Sequence, residues 1–342
     1  MYRRYSILII ILIFLNSICL AILSEDKTGP SGADFLLMKL SPRGVSLGNA
    51  FTANDDGDVS TMFFNPAGLS QLNKFQLSTT HNLWIDNTYY SGTVVGYPLW
   101  NKKRKESSGV IAIGINYFSL GKFDVYKQGK NIKGIDMYKS LIQLGYAFET
   151  GLVTTGIILK HIYEKFGSDT ANAVALDLGF LFKDLLEKTS FGIGIENFGT
   201  KLKLGGKSDV MPLVIKLGLK YNQKVFKKGF DFSLFTDLHF ALRNASTFSS
   251  GLEINLKPNK DTVFSIRTGF QKEIVSKISS EFGFSTGVGF NLKNIEIDYA
   301  YLPLKNLGST HQMGISFSFP TGPRIKKEIE MYYNKGESFY RD

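Results

Sequence analysis

The chain has 342 residues, with 40 Lys and Arg against 30 Asp and Glu, and a formal net charge of +10 at pH 7. The longest basic run is residues 102–105. No predicted recognition helix carries a basic stripe interleaved with aromatic residues, so nucleic-acid binding is not expected. Glycine is abundant at 34 residues, proline is scarce at 9, and aromatics make up 13%. This composition is typical of barrel strands that carry aromatic girdles.

Residues 1–24 have the pattern of a secretory signal peptide. Arg3 and Arg4 precede an apolar core at residues 7–15, and small residues follow at Ser17, Ala21 and Ser24. We expect the mature chain to start between residues 22 and 26. The alternative is one membrane helix over residues 6–23, which is barely long enough to span. The one cysteine lies in this segment, so the mature chain would hold no disulfide.

Residues 25–74 do not alternate between polar and apolar positions, and they are predicted to form a separate N-terminal segment. A Gly-rich element contains Gly44 and Gly48, and an acidic pair follows at residues 55 and 56. The segment closes on Asn65, Pro66, Ala67 and Gly68. This order favours a turn, because proline presets φ and glycine permits positive φ.

From residue 75 to residue 319 the pattern has period two. In the last predicted strand, Met313, Ile315 and Phe317 share one face, while Gln312 and Ser316 share the other. A soluble sandwich would bury the apolar face in a core, whereas a membrane barrel would turn it to lipid.

Strand number and length favour the barrel. The pattern gives about fourteen strands, an even number, and most are near the roughly 9–11 residues that a tilted membrane strand needs. The expected strands are 75–84, 88–98, 109–120, 139–149, 152–164, 172–183, 189–198, 212–222, 229–241, 249–257, 262–270, 280–292, 295–303 and 310–319.

The connections of this barrel are expected to be unequal. Those after odd-numbered strands, including 121–138, 165–171 and 199–211, are predicted to be longer outer loops, and most others are tight inner turns. Residues 320–342 lose the alternation, and helical spacing of apolar residues predicts a short periplasmic helical tail there.

The inner faces of the strands are predicted to line a polar lumen of mixed charge, for which cross-strand pairing is the simplest role. An amphipathic ligand would need an apolar pocket between the N-terminal segment and the wall. The inward candidates for such contacts are Phe63, Phe64, Ile158, Ile162 and Phe235. The charged lumen candidates are Asp177, Glu196, Lys216, Lys220, Glu253, Arg267, Glu296 and Asp298.

The motifs of enzymes and metal sites are missing from the sequence. The four histidines have no metal-ligand spacing, Gly206-Lys207-Ser208 lacks the rest of a phosphate loop, and no nucleophile elbow occurs. We therefore expect neither catalysis nor a cofactor or metal.

The ordered run of residues 33–72 resembles the N-terminal signature of the PorV/PorQ-like and FadL-like outer-membrane barrels. Asn65, Pro66 and Ala67 match the motif that joins the plug to the barrel in these families, and Gly44 and Gly48 match its Gly-rich element. The dipeptide 41–42 departs from the Ala-Arg type of residues usual near that element. A second similarity is residues 195–199, followed by 212–221. The resemblance implies a fourteen-stranded transmembrane barrel, an all-β fold, with the N-terminal segment folded inside the lumen as a plug.

The same resemblance implies two functions. FadL-like members pass long-chain fatty acids or other hydrophobic small molecules, and PorV-like members assist secretion of other proteins to the surface. We expect a channel of the outer membrane for uptake of hydrophobic or amphipathic molecules, in contact with outer-membrane lipid. The alternatives are a barrel with secretion partner proteins and an adhesin-like surface protein that uses loops 121–138 and 199–211.

Overall fold

The computed structural model describes residues 31–86, 88–101, 106–127, 130–151, 153–225, 229–274, 282–304 and 308–321. Fourteen antiparallel strands close into a barrel, and two short strands form a separate hairpin. The predicted signal peptide, 1–24, and the predicted helical tail from residue 322 onward lie outside these residues.

The barrel closes between its first and last strands, with partners running from Lys74 opposite Pro320 to Leu83 opposite His311. Closure leaves no free edge along this seam, which a membrane barrel requires because lipid offers the backbone no hydrogen bonds. The strands are β1 (Lys74–Leu83), β2 (Tyr89–Asn101), β3 (Glu106–Lys127), β4 (Lys130–Thr150), β5 (Val153–Phe166), β6 (Asp169–Leu186), β7 (Thr189–Gly199), the hairpin β8 (Leu202–Leu204) and β9 (Lys207–Asp209), then β10 (Val214–Val225), β11 (Phe230–Ala241), β12 (Thr247–Asn259), β13 (Thr262–Glu273), β14 (Phe282–Leu292), β15 (Ile295–Pro303) and β16 (Ser309–Pro320).

Two predicted outer loops are wrong. The described residues within 121–138 continue strands β3 and β4, which reach 22 and 21 residues. Most of 165–171 is likewise strand, because β5 ends at Phe166 and β6 begins at Asp169. Register shifts at Ser119/Gly121 and Phe123/Val125 interrupt the alternation in β3, so the pattern reads as loop while the ladder continues. The predicted loop 199–211 contains the hairpin β8–β9.

The outer face of the barrel is apolar. Ile115 is 59% exposed, Phe284 61% and Met313 58%. A contiguous exposed apolar surface of this kind is expected in lipid and not in water. The barrel is therefore of the membrane-spanning, outer-membrane type.

Aromatic bands lie at two levels of this outer face. Tyr117 neighbours Tyr89 and Tyr138, with ring centroids 6.2 and 5.5 Å apart. At the other level Phe75 contacts Tyr97, at 6.4 Å. Tyr89 and Tyr97 are eight residues apart on β2, or roughly 26 Å of strand, which suits the apolar band of a tilted barrel.

The two ends of the barrel differ. One end carries the longest connection, residues 200–213, and residues 274–281, while the other end carries short turns such as 260–261 and 293–294. Long connections face outward and short turns face the periplasm in such barrels. Among the described residues, no helix has the length and apolar character needed to cross a membrane.

Residues 31–73 lie inside the barrel. They form short helices at Asp34–Leu37, Pro42–Ser46, Val59–Phe63 and Pro66–Gln71. The helix Pro42–Ser46 contacts β13 to β16, and Pro66–Gln71 contacts β3 to β6. Apolar side chains of this N-terminal segment, such as Phe51, Phe64 and Leu69, are fully buried in the core.

Candidate functional site

The N-terminal segment enters the barrel at the end with long connections and leaves it at the end with short turns. Near its start, the Gly32 amide donates to the Val210 carbonyl at 2.9 Å. The Ser31 hydroxyl lies 3.1 Å from Asn244 Oδ1, in the connection between β11 and β12. The segment ends at Lys74, where β1 begins. It therefore runs the length of the lumen.

Polar side-chain caps start the last three of the four short helices described in the segment, while Asp34–Leu37 has none. The Ser41 side chain accepts from the Gly44 amide, and Pro42 follows at the first helical position. The Asp58 carboxylate accepts from the Ser60 amide at 2.8 Å. Such caps satisfy backbone amides that lack an intrahelical partner.

Asn65 is the cap of the last short helix, and it also ties the segment to the wall. Its Oδ1 accepts from the Ala67 amide at 3.1 Å. Its Nδ2 donates to the Thr52 carbonyl at 2.8 Å and to the Phe180 carbonyl of β6 at 3.1 Å. The predicted turn Asn65–Gly68 is thus a helix start, and the Asn65 side chain uses both of its N–H donors and its carbonyl oxygen. Its role as the motif of a plug remains a prediction.

Glycines on both sides allow close approach of segment and wall. A Cβ at Gly179 of β6 would overlap Asn65 Oδ1. Gly48, at φ 69°, faces the Phe270 backbone of β13, where a Cβ would lie 2.6 Å from the Phe270 nitrogen. Gly44 packs on the Phe64 ring. The predicted glycines therefore lie at close contacts, where a larger side chain would displace the segment.

Arg43 joins the segment to the wall near the end of the barrel with short turns. Its guanidinium binds both carboxylate oxygens of Glu253 and also Asp56. Lys220 of β10 binds Asp55 at 2.6 Å and Asp56 at 2.5 Å. Burial alone would raise the pKa of Asp56, but the Lys220 ammonium and the Arg43 guanidinium lower that pKa to about 2.

A second group of charges joins the segment to the wall near the end of the barrel with long connections. Glu196 of β7 accepts from Lys39 at 2.7 Å and from Lys216 of β10 at 2.6 Å. Both ammonium groups also lie over the Phe64 ring, 5.9 and 5.6 Å from its centroid. Burial lowers the pKa of Lys39 to about 8, against the opposing attraction of Glu196.

Asp237 of β11 holds the middle of the segment through the backbone. Its Oδ2 accepts from the Phe51 and Thr52 amides, each at 2.9 Å, and lies 3.3 Å from His239 Nε2. Asp237 is buried. The carboxylate thus satisfies two backbone donors that the irregular chain could not otherwise pair.

The predicted ligand contacts are part of a packed core. Phe63, Phe64, Ile158, Ile162 and Phe235 are all buried. Phe51 bridges two of them, with ring centroids 5.1 Å from Phe64 and 5.9 Å from Phe235. The structure brings Phe64 and Phe235 together through Phe51, and all five belong to one buried core. A ligand role for them remains a prediction.

The described residues line cavities at both ends of the lumen. One, of about 350 Å³, lies at the end with short turns, between Arg43, Asp56, Glu253 and Arg267. Another, of about 110 Å³, lies at the end with long connections, between Lys39, Glu196, Lys216 and Leu37. Within the described part of the chain, no group of three or more metal-binding side chains is placed to hold an ion.

Sequence reasoning missed Lys39, Arg43 and Asp237 as residues that hold the segment. A signal was present for the first two. Lys39 and Arg43 are the charged residues of the otherwise uncharged stretch 35–54, and a charge in a segment that folds inside a barrel needs a partner there. Asp237 offered no comparable signal, because acidic residues occur on the inner face of several strands.

Comparison with known proteins identifies the fold. No family model matches the chain, and no curated protein matches it. Among solved structures, the CymD monoaromatic hydrocarbon channel has a TM-score of 0.51 at 13% identity, over 82% of this chain and 97% of that chain. A Pseudomonas aeruginosa FadL homologue has a TM-score of 0.49 at 10% identity, over 86% and 99%. The P. putida toluene transporter TodX has a TM-score of 0.48 at 12% identity, over 78% and 95%.

The fold is thus shared with CymD, a channel barrel. The FadL-like half of the predicted resemblance agrees with this likeness at the level of fold. The PorV/PorQ-like half remains a prediction.

Proposed function

We propose that this protein is an outer-membrane channel that admits hydrophobic small molecules, with long-chain fatty acids or monoaromatic hydrocarbons as the substrate classes to test. The observation that carries the proposal is how the N-terminal segment lies inside a closed barrel: its chain continues into β1 at Lys74, and its other contacts with the wall are noncovalent. A channel must have a path that can be opened, and hydrogen bonds, ion pairs and packing can be broken without cutting the chain.

The outer surface and the shared fold support the same proposal. A hydrophobic molecule crosses the polar surface of an outer membrane slowly, and a barrel with an apolar exterior and an apolar core offers another route. CymD, whose fold this chain shares, is described as a monoaromatic hydrocarbon channel. We extend that substrate class to this chain as a hypothesis, because the likeness itself concerns the fold.

The segment acts as a plug in this proposal, and domain limits follow from it: 1–24 signal peptide, 25–74 plug, 75–319 barrel and 320–342 tail. The plug separates the cavities at the two ends of the lumen. Passage then requires that some of the contacts of Asn65, Arg43 or Lys39 with the wall be broken.

Uptake of labelled toluene and labelled oleate tests the proposal. Cells that lack their own hydrophobic channels would express wild type, the double variant Asn65→Ala/Pro66→Ala, or Lys203→Ala as a control. Lys203 is exposed on the β8–β9 hairpin. We expect wild type and the control to raise uptake of at least one substrate above the vector level, and the double variant to change that uptake while the barrel still folds. Uptake at the vector level by wild type would disprove the channel.

The secretion alternative predicts a different outcome of purification. A channel should retain lipid-like or hydrocarbon molecules when it is extracted in mild detergent, and mass spectrometry would identify them. A secretion barrel should retain a protein in fixed proportion. Vector-level uptake together with a stoichiometric protein partner would favour the alternative.

A further inference from the structure

The smaller cavity lies where a molecule arriving from outside would first meet the lumen. Asn244 and Ala245 of the connection between β11 and β12 form part of its rim. Deeper in, it is bounded by Lys39 of the N-terminal segment and by Lys216 and Glu196 of the wall. All three side chains are more than nine-tenths buried.

Charge is unevenly shared in this cavity. Two ammonium groups, of Lys39 and Lys216, are hydrogen-bonded to one carboxylate, that of Glu196. His239, also in the lining, is already engaged with Asp237. The described lining residues of this cavity therefore carry one more cation than anion. The buried carboxylate of Asp237 is bonded to His239 and lies outside the lining, so this excess concerns the lining alone. A bound monoanion would place a second carboxylate in direct contact with the two ammonium groups.

Each ammonium group can do more than it does. An ammonium group has three N–H donors, and one of them is used by Glu196 in each lysine. Both ammonium groups line the cavity and also lie over the Phe64 ring. Their side chains are more than nine-tenths buried, and charge-assisted hydrogen bonds are strong at buried positions. Two cations that share one acceptor are a suitable arrangement for a second carboxylate.

Size and lining restrict the body of such an anion. The cavity volume of about 110 Å³ is below the roughly 300–1,000 Å³ of pockets that enclose a whole drug-sized ligand. Leu37, Val214, Ala241 and Ala245 supply apolar surface beside the charged groups. A short hydrocarbon chain or a single ring has a size and polarity that suit this cavity, whereas a long chain is too large for this cavity alone.

We infer that the cavity between Lys39 and Lys216 binds a small organic monoanion, a carboxylate on a short apolar or aromatic body. The inference rests on the proposed function in that it names a substrate class for the same lumen. Lys39 belongs to the N-terminal segment and Lys216 to the wall, so the carboxylate would contact both. Neutral molecules of the same shape would gain the apolar contacts and not the ionic ones.

Benzoate and benzamide form a matched pair for the test, because they share shape and differ in charge. Calorimetric titration of the full mature protein in detergent at pH 7 would give both affinities. We expect benzoate to bind at least about tenfold more tightly, as expected for charge-assisted hydrogen bonds inside a protein. Equal affinities, or no benzoate binding, would overturn the inference.

Lys216→Met tests the assignment to this cavity. Glu196 keeps Lys39 as its partner in that variant, so no buried carboxylate is left alone and the barrel should fold. The preference for benzoate should fall to near unity. Lys203→Met is the control, because it removes an exposed cation from the same end of the barrel. Loss of preference in the control, or its retention in Lys216→Met, would assign the effect to long-range attraction and overturn the site.

Toluene uptake separates this inference from the proposed function. If wild type takes up toluene but binds benzoate and benzamide equally, the channel stands and the anion site fails. If neither toluene nor oleate enters while benzoate is preferred, the anion site stands and the hydrophobic channel fails.

Discussion

Arg43 and Glu253 form a bidentate ion pair between the N-terminal segment and the barrel wall. Arg43 Nε lies 2.8 Å from Glu253 Oε2, and Arg43 Nη2 lies 2.8 Å from Glu253 Oε1. Glu253 also accepts from Arg267 at 2.6 Å, and Arg43 also donates to Asp56 at 2.6 Å. A planar guanidinium is suited to this double role, because its donors are fixed in a fork. The pair therefore anchors the segment to β12 and, through Arg267, to β13.

Arg43→Gln should loosen the segment without unfolding the barrel. Glu253 keeps Arg267 and Asp56 keeps Lys220, so neither carboxylate is left without a cation. We expect a loss of about 1.5–3 kcal/mol in stability, the range for hydrogen bonds to charged groups, and a higher conductance in planar bilayers. Arg43→Lys keeps the charge but loses the forked pair of donors. Its stability and conductance should lie between those of wild type and Arg43→Gln. Unchanged melting and conductance in Arg43→Gln would show that this pair does not hold the segment.

Gly179→Ala should displace the last short helix of the segment. A Cβ at this position would overlap Asn65 Oδ1 and lie 2.8 Å from Pro66 Cδ. Gly283→Ala is the control, because the nearest atom to its Cβ would be the Gln271 carbonyl oxygen at 3.8 Å. We expect thermal unfolding of Gly179→Ala to begin at a lower temperature than that of Gly283→Ala, and limited proteolysis to cleave its N-terminal segment faster. Equal unfolding temperatures and cleavage rates in the two variants would contradict the close packing of Asn65 against Gly179.

The ion pairs of Asp56 should fail in acid. The pKa of Asp56 is lowered to about 2 from an ordinary value of 3.8. A carboxyl with a lowered pKa in the folded state stabilises that state above the ordinary value, and the stabilisation is lost as pH falls toward the lowered value. Conductance should therefore stay constant from pH 7 to about 5 and rise below about 4.

Asp56→Asn is the control for the acid effect. It should raise conductance at pH 7, because the ion pairs with Lys220 and Arg43 are absent at every pH. It should also flatten the change between about pH 4 and pH 2. An acid rise of the same size in this variant would assign the effect to other carboxylates of the lumen.

Most of the barrel could be predicted from the sequence, because alternation and strand length report directly on lipid and lumen faces. The predicted strand 295–303 matches β15 residue for residue, and its tight turn from β14 explains the clear limits. The extension of β3 and β4 could not be predicted. Bulges at Ser119/Gly121 and Phe123/Val125 shift the alternation, which a pattern of period two reads as an end of the strand.

The sequence predicts which residues face the lumen, but not which residues they bind there. Asp177 was assigned to the lumen from its place in β6, and its side chain is buried. Its ion pair with Lys160 at 2.6 Å and its hydrogen bond from the Asn197 amide were not predictable. Both depend on the register between β5, β6 and β7, including the shift at Leu176/Leu178. Alternation fixes the face of a residue but not its height relative to a neighbouring strand.

Ile266→Arg should impair membrane insertion far more than Ser265→Arg. Ile266 of β13 is 56% exposed on the outer face. Ser265 faces inward and lines the cavity of about 350 Å³, whose acidic residues can pair with an added Arg. An outward Arg costs about 2–4 kcal/mol at the bilayer midplane and less near its interfaces. Folding yield in lipid vesicles would measure the difference. Equal yields, or the reverse order, would show that the faces are inverted.

The entry of the N-terminal segment at the end with long connections predicts where the start of the mature chain is found. Gly32 is hydrogen-bonded to Val210 of the longest connection, 200–213, and Ser31 contacts Asn244. That end faces outward if the barrel follows the usual asymmetry of loops and turns. An epitope inserted directly before Ser31 should therefore be bound by antibody on intact cells. An epitope in the turn at 260–261 should be bound only after the outer membrane is permeabilised, and one at Gly205 should be bound on intact cells. If the epitopes before Ser31 and at Gly205 fall on opposite sides, the course of the segment through the lumen is wrong. If all three are reversed together, the barrel lies the other way in the membrane.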